Sequence, residues 1–318
     1  MKATFSLENI LFNINYPDTI EYIAHYFIPD ASPCTCNIVI NSTISFQDYY
    51  DYNKGKKLSN TLWITPDNCL MYIFSGDLWI KIIKASQTSI SSQIYINNHK
   101  IGLRKKISNI FSKTDTWLNV IIVQALRHAI LYPFFLLMKL NKNVFLSHGA
   151  AFSINNEGYG IVGFDGIGKS SIVSEAMKTD AYILSDNFLL FDEEYIYFIP
   201  DPLRMLVDSG GIFWGKNFVK LNYVTSKVSV HKIIYTYLGS NYTISRLTHT
   251  EITNINNSIV GFLPEFNDYE KYLAAICMLN QDMSTKLKYF KLPDLQYYQC
   301  ERSSIDDNRR ILSDVMSI

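Results

Sequence analysis

Residues Gly163 to Ser170 read GFDGIGKS, which is the spacing of a glycine, four residues, then Gly-Lys-Ser that cradles a phosphate chain. The residue types suit that chemistry. Gly163, Gly166 and Gly168 let a loop take positive φ and bring its amides close to anionic oxygens, and the free N–H groups at the start of a following helix add dipolar attraction. Lys169 brings a positive charge to the β- and γ-phosphates, and the Ser170 hydroxyl is placed to complete the coordination of Mg²⁺, which takes oxygen ligands. Nucleotide contacts are expected from Gly163, Asp165, Gly166, Ile167, Gly168, Lys169, Ser170 and Ser171, with ATP and Mg²⁺ as the bound species. Two flanking residues add chemistry. His148 closes an apolar run before the loop, and Asp186 follows the loop within Ile183-Leu-Ser-Asp-Asn-Phe-Leu-Leu. A carboxylate at that place serves as a ligand to Mg²⁺ or as the base that takes a proton from an acceptor hydroxyl.

These residues need a strand before the loop and a helix after it. Tyr159-Gly-Ile-Val reads as a short apolar strand, and Ser171-Ile-Val-Ser-Glu-Ala-Met reads as the first turns of a helix. Asp180 to Phe198 alternates as two strands around a hairpin-like turn at Asp192-Glu-Glu, which puts Asp186 at the tip of a strand. Upstream, Trp117 to Leu140 is the most hydrophobic stretch and is long enough to suggest a membrane span. Gln124, Arg127 and His128 near its middle and Pro133 within it argue instead for a buried helix, capped around Thr114 or Asp115 and kinked near the proline. Glu265 to Leu279 has helical spacing, Ser303 is a candidate cap for a last helix through Met316, and Asp208-Ser-Gly-Gly211 reads as a break. Asn217 to Pro264 shows no assignable motif and is a candidate acceptor-binding region.

The order His-Gly-Ala, then Gly-x-x-Gly-x-Gly-Lys-Ser, then Leu-Ser-Asp-Asn resembles the catalytic domain of the HPr kinase/phosphorylase family. The likeness is to the divergent branch found in bacterial peptide-modification clusters, and it covers roughly Trp117 to Ile318. It implies that Lys169 and Ser170 hold phosphate and metal, that Asp186 is base or metal ligand, and that His148 supports Asp186. Pro200-Asp-Pro-Leu-Arg204 resembles a Pro-x-Pro-x-Arg segment of that branch, which points Arg204 at the nucleotide or the acceptor. The chain departs from the family in having Asn187 where a second acid is frequent, and Ser171 where the regulatory enzyme has Glu. The expected activity is transfer of the γ-phosphoryl group of ATP to a serine, or another hydroxyl, of a peptide or small protein. The alternatives are a nucleotide-binding regulatory or scaffold protein without efficient transfer, and a small-metabolite kinase. The family's hexamers imply that this chain too self-associates.

Before Thr114 the chain alternates in short runs, such as Cys36-Asn-Ile-Val-Ile-Asn and Leu78-Trp-Ile-Lys-Ile-Ile, which read as an antiparallel sheet. The fold expected is therefore α/β of the mixed α+β kind. A smaller antiparallel β-rich domain over residues 1–114, suited to substrate or partner recognition or to a merely structural role, precedes an HPr-kinase-like domain with a mixed sheet and a crossover helix over residues 115–318. The acids of Asp48-Tyr-Tyr-Asp51 read as a solvated loop, and His25 and His99 are isolated. Charges are balanced, with 29 Lys and Arg against 29 Asp and Glu, so nothing electrostatic suggests a nucleic-acid partner. Cys34, Cys36, Cys69, Cys277 and Cys300 are odd in number, and Cys34-Thr-Cys36 lacks partners at zinc spacing. With no signal-peptide pattern at Met1-Lys-Ala-Thr-Phe-Ser-Leu-Glu, a reducing cytoplasm is expected.

Overall fold

A computed structural model describes residues 1–47, 55–59, 61–75, 77–97, 116–206, 216–248, 250–255, 264–280, 282–283, 293, 295–302 and 307–317. The chain is mixed α/β, with large mixed sheets and few helices among those residues. It divides into two compact units. The first comprises Met1–Lys142, Leu206–Phe218 and Asp268–Tyr289, and the second Asn143–Met205, Val219–Asn267 and Phe290–Ile318. The expected domain boundary at 114/115 lies outside the described residues, as do Asp48–Asp51, His99, the cap at Thr114 or Asp115, the Asp208–Gly211 break and the Ser303 cap.

The first unit is built on eight strands: β1 (Lys2–Leu7), β2 (Ile10–Asn15), β3 (Ile38–Gln47), β4 (Lys56–Ser59), β5 (Leu62–Ile64), β6 (Leu70–Ser75), β7 (Leu78–Ala85) and β8 (Ser89–Asn97). Their order is β1-β2-β3-β8-β7-β6-β5-β4. The sheet is mixed, which corrects the expected antiparallel arrangement: β2 pairs β3 in parallel, and β3 pairs β8 in parallel. The reason lies in the connections. Helix α1 (Glu21–Phe27) carries the chain from β2 back to start β3 in the same direction, as a parallel pair requires. The antiparallel run β4 to β8 then returns so that β8, not β4, lies beside β3.

The apolar stretch forms helix α2 (Thr116–Leu126), a π turn at Arg127–Leu131 and helix α3 (Tyr132–Asn141). It is the one helix among the described residues long and apolar enough to cross a membrane, and 89% of its most apolar window is buried within the protein. Pro133 explains the π turn. Proline has no N–H for the carbonyl of Ala129 and its ring crowds that carbonyl, so the helix widens just ahead of it. The Ala129 oxygen is not left bare, because the buried hydroxyl of Ser42 on β3 donates to it at 2.9 Å. Phe12 of β2 meets Phe134 at 5.9 Å, and Phe135 meets Tyr269 edge-on at 5.7 Å. Tyr269 belongs to α5 (Pro264–Leu279), so the apolar helix is covered from both sides within this unit. Each large side chain so enclosed contributes about 1.5–3 kcal/mol.

The second unit contains β9 (Phe145–Ile154), β10 (Glu157–Val162), helix α4 (Lys169–Ala176), β11 (Tyr182–Ser185), β12 (Phe188–Phe191), β13 (Tyr195–Tyr197), β16 (Lys227–Leu238), β17 (Thr243–Arg246), β18 (Tyr297–Arg302) and helix α6 (Asn308–Ser317). Two short strands, β14 (Leu203–Leu206) and β15 (Lys216–Val219), lie in sequence between β13 and β16. The order of the large sheet is β10-β9-β12-β13-β16-β18-β17, with β11 also on β9. Because β10 pairs with both β9 and β16, the strands β10, β9, β12, β13 and β16 close a ring. The ring leaves little room at its centre. A Cβ on Gly160 would lie 2.8 Å from Leu189 and 2.7 Å from Ile233, so that position takes glycine. Residues 217–264, which carried no motif in the sequence, include the twelve-residue β16. Alpha4 packs against α6, so the C-terminal helix backs the helix that follows the glycine loop.

Candidate functional site

Residues 163–168 link β10 to α4. Gly163 leaves the strand where a Cβ would fall 2.5 Å from the Thr236 carbonyl oxygen and closer still to Ile167. Gly166 and Gly168 have φ of +79° and +88°, the left-handed region that only glycine enters without strain. Gly168 then caps α4, and its carbonyl accepts the N–H groups of Ser171 and Ile172, each at 3.1 Å. The first N–H groups of any helix have no partner within it.

Lys169, 6% exposed, lies back across this loop: its ammonium donates to the carbonyls of Gly163 at 2.9 Å and Phe164 at 2.8 Å. The Ser170 hydroxyl donates to Asp186 Oδ1 at 2.8 Å, and Asp186 Oδ2 accepts the backbone N–H of Arg204 at 3.1 Å. Asp186 directly follows the last residue of β11, at the tip of a strand as expected. It sits with Asn187 in a break between β11 and β12, and the break is made by Asn187 at φ +84°, a conformation asparagine tolerates better than most residues. One long strand is thereby cut in two, which corrects the expected pair of strands between Asp180 and Phe198 to three. The second turn is as read: Asp192 Oδ1 accepts the N–H groups of Glu194 and Tyr195, both at 2.8 Å.

Arg204 reaches the same place twice, since its guanidinium Nη2 also donates to Asn187 Oδ1. Ser170, Asp186, Asn187 and Arg204 thus form one connected group, and Lys169 precedes Ser170 at the start of α4. Asn187 Nδ2 and Arg204 Nε are buried donors with no partner among the described residues. Buried donors need acceptors, so this corner of the site suits an anion.

His148 is placed by the pairing of β9 with β12, where it stands opposite Phe188. Its ring is 2% exposed, and Nε2 lies 3.8 Å from Asp165 Oδ1, a partner within the glycine loop that the sequence did not point to. The imidazole beside it holds the Asp165 carboxyl well below the ordinary carboxylate range, against partial desolvation, and the charges of Lys169 and Arg204 add to the effect. Asp165 itself projects outward, its side chain 81% exposed.

A further residue escaped the sequence altogether. Arg302, the last residue of β18, is fully buried, and its Nη1 donates to the carbonyl of Ile167 at 2.6 Å. A strand-end arginine in Tyr-Tyr-Gln-Cys-Glu-Arg carries no local sign of that contact. No protein-family model matches the chain, and no curated protein matches it either.

Proposed function

We propose that this chain is an HPr-kinase-like kinase that uses ATP and Mg²⁺ to phosphorylate a hydroxyl, with a serine of a peptide or small protein as acceptor. The observation that carries this proposal is the 2.8 Å contact between Ser170 Oγ and Asp186 Oδ1 at the start of α4. Neighbouring ligands in an octahedron with Mg²⁺–O bonds of ~2.1 Å stand ~3 Å apart. The two oxygens therefore already have the spacing needed to share one ion. Among the described residues no three His, Cys, Asp or Glu side chains gather as a metal site. A nucleotide-bound Mg²⁺ does not need such a cluster, because one or two protein oxygens suffice beside the phosphates. When bound, the ion neutralises charge on the β- and γ-phosphate oxygens.

The chain's own residues divide the remaining work. Loop amides and Lys169 bind the phosphates, and the orphaned donors on Asn187 and Arg204 add hydrogen bonds to anionic oxygens. Asp186 is assigned to the metal and not to the acceptor's proton, because it is 1% exposed and both of its oxygens are engaged. The carboxylate open to an acceptor is Asp165, held by His148. In transfer the acceptor oxygen bonds to the γ-phosphorus, the bond to the bridging oxygen breaks, ADP leaves, and the acceptor's proton passes to Asp165. Reaction in the cytoplasm, recognition of the acceptor by residues 1–114, self-association and the absence of a nucleic-acid partner or membrane span belong to the same proposal.

A second function is favoured by one feature, Asn187 in the place of a second acid, its Oδ1 held by Arg204. It is nucleotide binding for regulation, without efficient transfer. Incubation with γ-labelled ATP, Mg²⁺ and the peptides encoded beside the gene separates the two. Label on a serine is the expected result. Tight nucleotide binding with label on no acceptor selects the regulatory function and ends the kinase proposal.

A further inference from the structure

Arg302 is the most costly side chain buried near the loop, because a guanidinium remains charged in any protein environment. Its contact shows what it does there. The Ile167 carbonyl that it holds at 2.6 Å and the Gly168 N–H are the two ends of one peptide unit. No peptide in the described chain is cis, and in a trans unit the C=O and N–H point in opposite directions. By drawing the carbonyl toward β18, Arg302 turns the Gly168 N–H to the opposite side of the loop. Gly168, at φ +88°, has no side chain to resist that rotation, and it is the residue that caps α4.

We propose that Arg302 is a positioning residue for phosphate binding: it fixes the Ile167–Gly168 peptide so that the Gly168 N–H donates to the phosphate chain. This rests on the proposal that the loop binds nucleotide, and it deepens it by joining the loop to a residue 135 positions away in sequence. The guanidinium holds the carbonyl oxygen from behind the loop, and its effect on an anion is through the donor it orients. A buried lysine in its place would offer a point charge without the planar fork that fixes direction.

The test uses the full chain with ¹⁵N-glycine labelling, alongside calorimetric titration with MgATP. Arg302→Gln keeps an N–H donor and loses the charge, and Arg302→Met loses both. The Gly168 amide resonance is expected to move in each variant, while those of Gly149, Gly158 and Gly160 in β9 and β10 stay in place. MgATP affinity is expected to fall by about tenfold or more in Arg302→Met and by less in Arg302→Gln. A Gly168 resonance that does not move, or unchanged MgATP affinity in both variants, overturns the inference. General movement of all glycine resonances assigns Arg302 to overall packing and overturns it as well. If Arg302→Met does not fold, Arg302→Gln decides on the same two measurements. Wild-type protein that binds no MgATP overturns the nucleotide proposal itself, and it is recognised without any variant.

Discussion

Each unit buries a histidine, and the two are used in opposite ways. His128, in the π turn of the first unit, is fully buried among the rings of Tyr72, Phe74, Tyr132 and Tyr272. Burial pushes its pKa down to about 3, outweighing the hydrogen bond of Nδ1 to the Gln124 carbonyl at 2.8 Å. It is therefore a neutral core residue. His148 in the second unit is as well buried at 2%, yet it faces the carboxylate of Asp165 on an exposed loop. The difference teaches that a buried imidazole is read from what its nitrogens face. A ring enclosed by other rings is part of the packing, and one set against an acid at the lip of a loop is part of a charge arrangement.

The largest effect should come from the second unit's loop. Lys169→Ala removes the ammonium that lies across it, and MgATP binding is expected to weaken by about 100-fold or more in calorimetric titration. The matching change in the first unit, His128→Phe, should leave that affinity unchanged. Asp186→Asn comes next, with phosphoryl transfer falling by about 100-fold and the Mg²⁺ dependence of nucleotide binding lost. Full activity in that variant removes Asp186 from the metal site. Asp165→Asn should lower kcat by about tenfold to 100-fold with MgATP affinity nearly unchanged, a split that separates acceptor chemistry from nucleotide binding.

Acid titration of stability sharpens the contrast. His128 has a folded pKa below its unfolded value of about 6.5, so the unfolded chain takes up the proton first. The native state is at full strength above that value, then loses roughly 1.4 kcal/mol per pH unit as pH falls toward about 3. His128→Phe should flatten that slope in urea unfolding series. Asp165, with its folded pKa depressed below 3.8, adds stability that is present above that pH and is lost only at still lower pH, so its contribution lies in a separate window. The smallest effect is Ser42→Ala, which strips the hydroxyl from the Ala129 carbonyl and should cost about 1 kcal/mol in the same assay.

Much of the second unit's loop could be read along the chain because its requirements are local. The spacing from Gly163 to Ser170 places a positive φ, a helix start and a lysine within a few residues, and the structure has each of them there. Strand pairing was not local in that sense. Alternation marks β2 and β3 as strands, but whether they run parallel depends on the path through α1. Beta16 passed unmarked because its buried run includes Lys232 and Thr236, polar residues that blur the apolar pattern. Asn187 interrupts what reads as one strand, since left-handed backbone at a single residue leaves no trace in hydrophobic periodicity.

By itself the sequence determined the glycine-lysine-serine pattern, the apolar helix and the proline within it, for these follow from residues within a turn or two of one another. Only the tertiary structure decided that Ser170 meets Asp186, that Arg204 and Asn187 join them, that His148 faces Asp165, and that Arg302 reaches the back of the loop. Those contacts join a helix, loops and strands that lie far apart in sequence. Their partners are chosen by which strands lie side by side, and that depends on the packing of the whole unit.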